Sequence, residues 1–149
     1  ENILLSQFAN NKFSKYGIID NNFIENHTNT VIKNFNVVTP GSDAKASSLS
    51  GGNLQKFVIG REITSNPELL IISHPTWGID AGAEHSIRES LINLSKNGTS
   101  IIVISQDLDE LIEITHRMSV IYNGELSEPF HTKDIDITKL GLLMGGKND

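Results

Sequence analysis

Two short runs, Leu69 to Ile72 and Ile101 to Ile104, are apolar at every position, and the segment between them carries a helical pattern. A strand without alternation is one expected to be covered on both faces, and two such strands joined by a helix lie side by side in parallel. This predicts an α/β chain built on a parallel sheet. The joining helix is predicted over Glu84 to Lys96, with Ile87, Leu91 and Leu94 on one face and Gly98 at its end. Residues 53–64 form a preceding helix that ends near Pro67, and Ser100 opens the second strand. Asp107 and Glu110 give a capping-box-like start to a helix carrying Leu108, Leu111 and Ile112. Met118 to Tyr122 is expected as one strand, turned at Asn123-Gly124 into Glu125 and Leu126. The closing "ITKLGLLMGG" is a short apolar helix or tail.

The part before Leu49 has a different character. It is rich in Asn, and Ile3, Leu4, Leu5 and Phe8 form one short apolar face. In "FIENHTNTVIKNF" the residues Ile24, Val31 and Phe35 recur at helical intervals, with Asp20 as N-cap. "VTPGSDAKASS", Val38 to Ser48, collects turn formers without periodicity and is expected to be a loop. The start "ENILL" has no initiator Met and runs directly into an apolar segment, as expected of a chain beginning inside a larger protein.

Composition removes several function classes. With 149 residues, 38% hydrophobic and 20% charged, the chain is long enough for one compact domain with a core. No apolar run approaches the roughly 18 residues of a membrane span, and no basic and then apolar leader opens the chain, so a soluble chain without a secretory signal is expected. The absence of cysteine excludes a disulfide framework and cysteine-ligated zinc. A net charge of -6 with scattered Lys and Arg argues against a nucleic-acid footprint.

Chemistry concentrates in "SLSGGNLQKF", Ser48 to Phe57. A Ser and two glycines at the start of a helix leave backbone N–H groups unpaired and uncrowded at the positive end of the helix dipole, where an anion can approach. The alternative is a plain Ser N-cap with a glycine turn. A second feature is the Ser73-His74 pair that ends the first apolar strand in "LLIISHPTWGID". A hydrolase pair is disfavoured, because neighbours in a strand point to opposite faces and a nucleophile elbow wants glycines around its Ser. A metal site from His74, His85 and His116 lacks supporting ligand spacing.

Taken in order, "LSGGN-QK" before a helix, "PT-GID" after an apolar strand, "IS-DLDEL" after the next strand, and "HRMSVIYNGEL" resemble the ATP-binding subunits of ABC transporters over the whole chain. The resemblance is to the second nucleotide-binding domain of tandem ATPase subunits from bacterial nucleoside or simple-sugar importers of the basic-membrane-protein type. It implies part of a P-loop NTPase fold: a helical subdomain over 1–50, the later part of a RecA-like core over 51–131, and a C-terminal tail or helix over 132–149. No G-x-x-x-x-G-K-[ST] occurs, so the P-loop, the adenine-stacking aromatic and the Q-loop are expected upstream of Glu1.

The same resemblance implies roles for matched positions. Ser50, Gly51, Gly52 and Asn53 stand at the signature that binds the γ-phosphate of ATP held by an opposing domain, Asn53 replacing the Gln of many members. Asp80 matches the D-loop residue that crosses the dimer interface, and locally it is equally an N-cap. Ser73 and His74 stand where an Asp holds the hydration shell of Mg²⁺ and a Glu acts as general base. A Ser has no charge for hydrated Mg²⁺, and an imidazole is a poor substitute for a carboxylate beside polyphosphate. Gln106 stands where a switch histidine belongs. With no catalytic residue intact and no metal site of its own, this segment is expected to donate its signature to a partner's ATP site while its own site is degenerate. The implied cofactors are ATP and Mg²⁺ in the intact subunit. The implied partners are the first nucleotide-binding domain of the same or a second subunit, permease subunits and, indirectly, a solute-binding protein, at the cytoplasmic face of the bacterial inner membrane. Two alternatives stay open: a soluble ABC ATPase without a permease, and an ATP-dependent dimerisation scaffold without turnover.

Overall fold

The computed structural model describes residues 1–6, 13–15 and 18–146; Phe8 lies outside them. The chain divides into two compact units, Glu1–Ile104 and Ser105–Asp149.

The first unit runs α1 (Asn2–Ser6), β1 (Ser14–Lys15), β2 (Ile18–Ile19), α2 (Asn21–Asn34), α3 (Gly51–Thr64), β3 (Leu69–Ser73), α4 (Ala81–Lys96) and β4 (Ser100–Ile104). β1 and β2 make a small antiparallel ribbon. The Asp20 carboxylate accepts from the Phe23 N–H, the cap expected from the sequence. Phe13 packs edge-on against Phe23 and His27, with ring centroids 5.2 and 5.5 Å away, and so ties the ribbon to α2. The segment between α2 and α3 is the expected loop, with a single 3₁₀ turn at Ala46–Ser48. Along α2 the predicted face is partly realised: Val31 and Phe35 are buried, while Ile24 is half-buried. Ile3 of the predicted N-terminal apolar face is buried, but Leu5 is exposed.

α2 packs on α3, and the contact depends on the missing side chain of Gly60. A Cβ at Gly60 would stand 2.4 Å from the Phe35 ring. Overpacking of this kind costs about 1–3 kcal/mol, against the gain of about 1 kcal/mol from replacing a mid-helix glycine. Gly60→Ala is therefore expected to destabilise by up to about 2 kcal/mol, and adding Phe35→Leu is expected to recover most of the loss. Urea denaturation of the two variants checks this.

β3 and β4 are parallel, with Leu69 opposite Ser100 and Ser73 opposite Ile104. α4 joins them and buries the predicted face, Ile87, Leu91 and Leu94. Both helix starts lie earlier than the pattern suggests. α3 begins at the glycines and α4 at Ala81, where the Asp80 carboxylate accepts from Ala83 N–H. One expectation fails. Leu70 is buried, but Leu69, Ile71, Ile102 and Ile104 are half or more exposed, so the strands are not covered on both faces. Within this unit the helices cover one side of the pair only, and full apolarity reports a second layer that these elements do not supply.

The second unit runs α5 (Leu108–Ile114), β5 (Arg117–Met118), β6 (Ile121–Tyr122), β7 (Glu125–Leu126), β8 (Phe130–His131) and α6 (Ile137–Met144). The Asp107 carboxylate accepts from the Glu110 N–H as expected, while the Asp107 N–H goes to Ser105 Oγ. The strand expected over Met118 to Tyr122 is broken in two. β5 pairs with β8, whereas β6 turns at Asn123-Gly124 and pairs with β7. At the break the Ser127 hydroxyl accepts from the Val120 N–H while the Ser127 N–H donates to the Val120 carbonyl. A side-chain oxygen has replaced one rung of the ladder, and the regular pairing stops there.

Candidate functional site

The N-terminus of α3 leaves its first backbone donors open. Ser50 is the N-cap, with φ −63° and ψ 157°, but its side chain makes no capping bond to the helix. Its carbonyl accepts from Leu54 N–H at 2.9 Å, the first bond of the helix proper. Among the described residues no hydrogen bond is made by the backbone N–H of Gly51, Gly52 or Asn53. Three unpaired donors and the positive end of a 14-residue helix therefore face one way.

The two glycines serve different needs. A Cβ on Gly52 would meet the Gly78 carbonyl oxygen at 3.1 Å, so this glycine lets the helix approach the turn that follows β3. A Cβ on Gly51 would meet nothing within 4 Å. Its φ is not positive either, so neither packing nor backbone conformation within the chain explains a glycine there. Bare backbone at an unpaired N–H is what close approach of a ligand requires.

The turn after β3 is held against the first two turns of α3. β3 extends to Ser73, and His74 then turns into the left-handed region at φ 48°. Its N–H donates to the Ile104 carbonyl at 2.8 Å, and its own carbonyl accepts from Trp77 N–H at 3.2 Å. Gln55 Nε2 donates to the same carbonyl at 3.1 Å. Pro75 is fully buried, while Trp77 is 80% exposed with its ring 6.0 Å from that of His74. At the end of the turn Asp80 uses both carboxylate oxygens: Oδ1 accepts from Ala83 N–H at 3.0 Å, and Oδ2 meets Lys56 Nζ at 2.9 Å. Ser50, Gly51, Gly52, Asn53, Ser73, His74 and Asp80 thus belong to one unit, with Gly52, Gln55 and Lys56 as the joints between helix and turn. Gln55 and Lys56 lie within the same sequence motif, which does not by itself point to this role. Their signal is spacing, since positions three and four beyond Gly52 share its face of the helix.

Lys56 and the Ala83 N–H hold the Asp80 carboxyl below the ordinary carboxylate range. A depressed native value means that the link contributes stability above the ordinary carboxylate pKa and loses it as pH falls through the native one. Lys56→Met is therefore expected to raise the Asp80 pKa, and carboxyl NMR titration of the two proteins checks the sign.

Gln106 lies in the second unit, exposed in the turn before α5. It is a neutral amide and carries no proton for transfer. Among the described residues no group of three or more His, Cys, Asp or Glu is placed to hold a metal ion. Mg²⁺ takes oxygen ligands, commonly one or two carboxylates. The Ser73 hydroxyl and His74 imidazole do not fit it. His85 instead lies 3.6 Å from Glu89 on the surface of α4. No helix among the described residues is long and apolar enough to cross a membrane.

No family model matches the chain. Individual relatives do. The chain is 41% identical over 148 residues to the nucleoside import ATP-binding protein NupA of Lactococcus lactis, covering 99% of this chain and 29% of that protein. It is 37% identical to the glucose import ATP-binding protein TsgD13 of Haloferax volcanii, over 99% of this chain and 27% of that protein. With the galactose/methyl galactoside import ATP-binding protein MglA of Escherichia coli it shares 42% identity, over 89% of this chain and 26% of the relative. The chain spans less than a third of the length of these relatives. Its fold matches the dimeric ABC transporter cassette MJ0796 at TM-score 0.73 and 20% identity, covering 91% of this chain and 56% of that one. A post-hydrolysis dimer of MJ0796 bound to ADP and Pi matches at TM-score 0.69 and 20% identity, over 83% and 53%.

Proposed function

Starting from a chain that has part of the ABC ATPase fold and is related in sequence to import ATP-binding proteins, we propose that it belongs to the ATP-binding subunit of an importer for nucleosides or simple sugars. In this reading residues 1–50 are the helical subdomain, 51–131 the later part of the RecA-like core and 132–149 a C-terminal tail. Ser50, Gly51 and Gly52 bind the γ-phosphate of an ATP whose P-loop and carboxylates come from a partner nucleotide-binding domain. Asp80, fastened to Lys56, holds the signature helix and the following turn together on the face that meets the partner. The chain's own catalytic positions, Ser73 and His74 in the first unit and Gln106 in the second, are degenerate, so turnover rests on the partner's site. Permease subunits complete the assembly, with a solute-binding protein acting on them, and the subunit sits peripherally on the cytoplasmic face of the membrane.

One observation carries this reading: the unpaired N–H groups of Gly51, Gly52 and Asn53, beside a glycine that packing inside the chain does not require. ATP supplies the anion. The chain's part is to offer preorganised donors, and such donors act most strongly where water is excluded between two domains. Deleting the full-length gene and measuring uptake of labelled nucleosides and simple sugars tests the assignment. Loss of uptake of one solute class, restored by the wild-type gene, is the expected result. Unchanged uptake across the panel would contradict an importer and favour an ABC ATPase that works without a permease.

A further inference from the structure

We propose that Asn53 is a positioning residue that turns the Ser50 hydroxyl proton outward, making Ser50 a donor to a phosphate oxygen; the inference rests on the signature reading above. An Asn side chain has one acceptor oxygen and one donor nitrogen. Here Oδ1 accepts from Val38 N–H at 2.8 Å, and Nδ2 lies 2.9 Å from Ser50 Oγ. The Val38 contact fixes which way the amide faces, because a flipped amide would set N–H against N–H. Nδ2 is therefore the donor to Ser50 Oγ, and the hydroxyl oxygen is occupied as an acceptor.

This arrangement departs from an ordinary N-cap. A capping Ser gives its oxygen to the N–H of the second or third helical residue. Ser50 makes no such bond, and its oxygen goes to the side chain of the third helical residue instead. Among the described residues no acceptor takes the Ser50 proton. The rim of α3 consequently presents one O–H and three N–H groups, all donors, and such a set suits an anion with several oxygens. Asn53 reaches Ser50 from a position anchored at its far end to the loop before the signature.

The test is a double-mutant cycle on ATPase turnover in the intact transporter, with Ser50→Ala, Asn53→Ala and Asn53→Asp. Ser50→Ala is expected to lower kcat about a hundredfold, as for loss of one donor to a developing anion. Asn53→Ala is expected to lower kcat about tenfold, as for loss of an orienting partner, and less than about twofold once Ser50 is already Ala. The KM for ATP is expected to change little, because the nucleotide is held mainly by the partner domain. Asn53→Asp keeps an acceptor for Val38 N–H but draws the Ser50 proton inward, so its loss too is expected to shrink in the Ser50→Ala background. That variant keeps the cycle readable if Asn53→Ala loosens the loop. Equal losses in both backgrounds, or no loss with Ser50 present, would overturn the role of Asn53 while leaving the signature reading intact. Full activity of Ser50→Ala would overturn the signature reading itself.

Discussion

Gly51→Asp in the full-length protein is expected to lower ATP turnover by at least about a hundredfold without destabilising the fold. The two effects separate because a Cβ at Gly51 meets nothing within 4 Å. An acidic residue in the first turn even favours the helix dipole, by about 0.3–1 kcal/mol. The same carboxylate repels the γ-phosphate and crowds the backbone donors, so the substitution opposes function while it helps the helix. Steady-state ATPase and thermal melting, measured on one preparation, check both halves. Turnover near wild type would remove the signature assignment, and a large loss of melting temperature would show that Gly51 has a packing role.

The second large contrast is between this chain's strand tip and the carboxylates of the partner site. A general base contributes about 10²–10⁴-fold to rate. Ser73→Ala and His74→Ala are expected to leave turnover within about a few-fold of wild type, because neither residue supplies that base or a carboxylate for Mg²⁺. Replacing the carboxylates of the partner site is expected to abolish turnover. His74 does hold structure, but through its backbone: its N–H meets Ile104 and its carbonyl meets Gln55 and Trp77. Truncating its side chain leaves those bonds in place. A hundredfold loss on His74→Ala would instead mark the imidazole as a catalytic group.

Much of this arrangement is legible in the sequence, and the misses have physical causes. The apolar runs at Leu69 and Ile101 identify a parallel pair, since their composition reflects burial beyond what local elements provide. For the same reason they misstate exposure here: Ile71 and Ile102 lie on the face left open. Asp20, Asp80 and Asp107 are readable as caps because capping is decided by a residue and its nearest neighbours along the chain. The break in the strand at Val120 depends on a hydroxyl seven residues away, which no periodicity reveals. At the site, Ser50-Gly51-Gly52 is legible as a helix start with open backbone donors. The Asn53 bridge from Val38 to Ser50 and the hold of Gln55 and Lys56 on the following turn arise only when distant segments meet.

Amide hydrogen exchange at the start of α3 tests the account most directly. In the full-length protein, saturated with a non-hydrolysable ATP analogue and assembled with its partner domain, the amides of Gly51, Gly52 and Asn53 are expected to slow by about tenfold or more. They are expected to stay fast with ADP, which lacks the γ-phosphate. The Asn22 amide, in the first turn of α2, serves as a helix-start control and is expected not to change. Fast exchange at Gly51, Gly52 and Asn53 while the analogue is demonstrably bound would contradict the claim that this helix start is where the γ-phosphate is held.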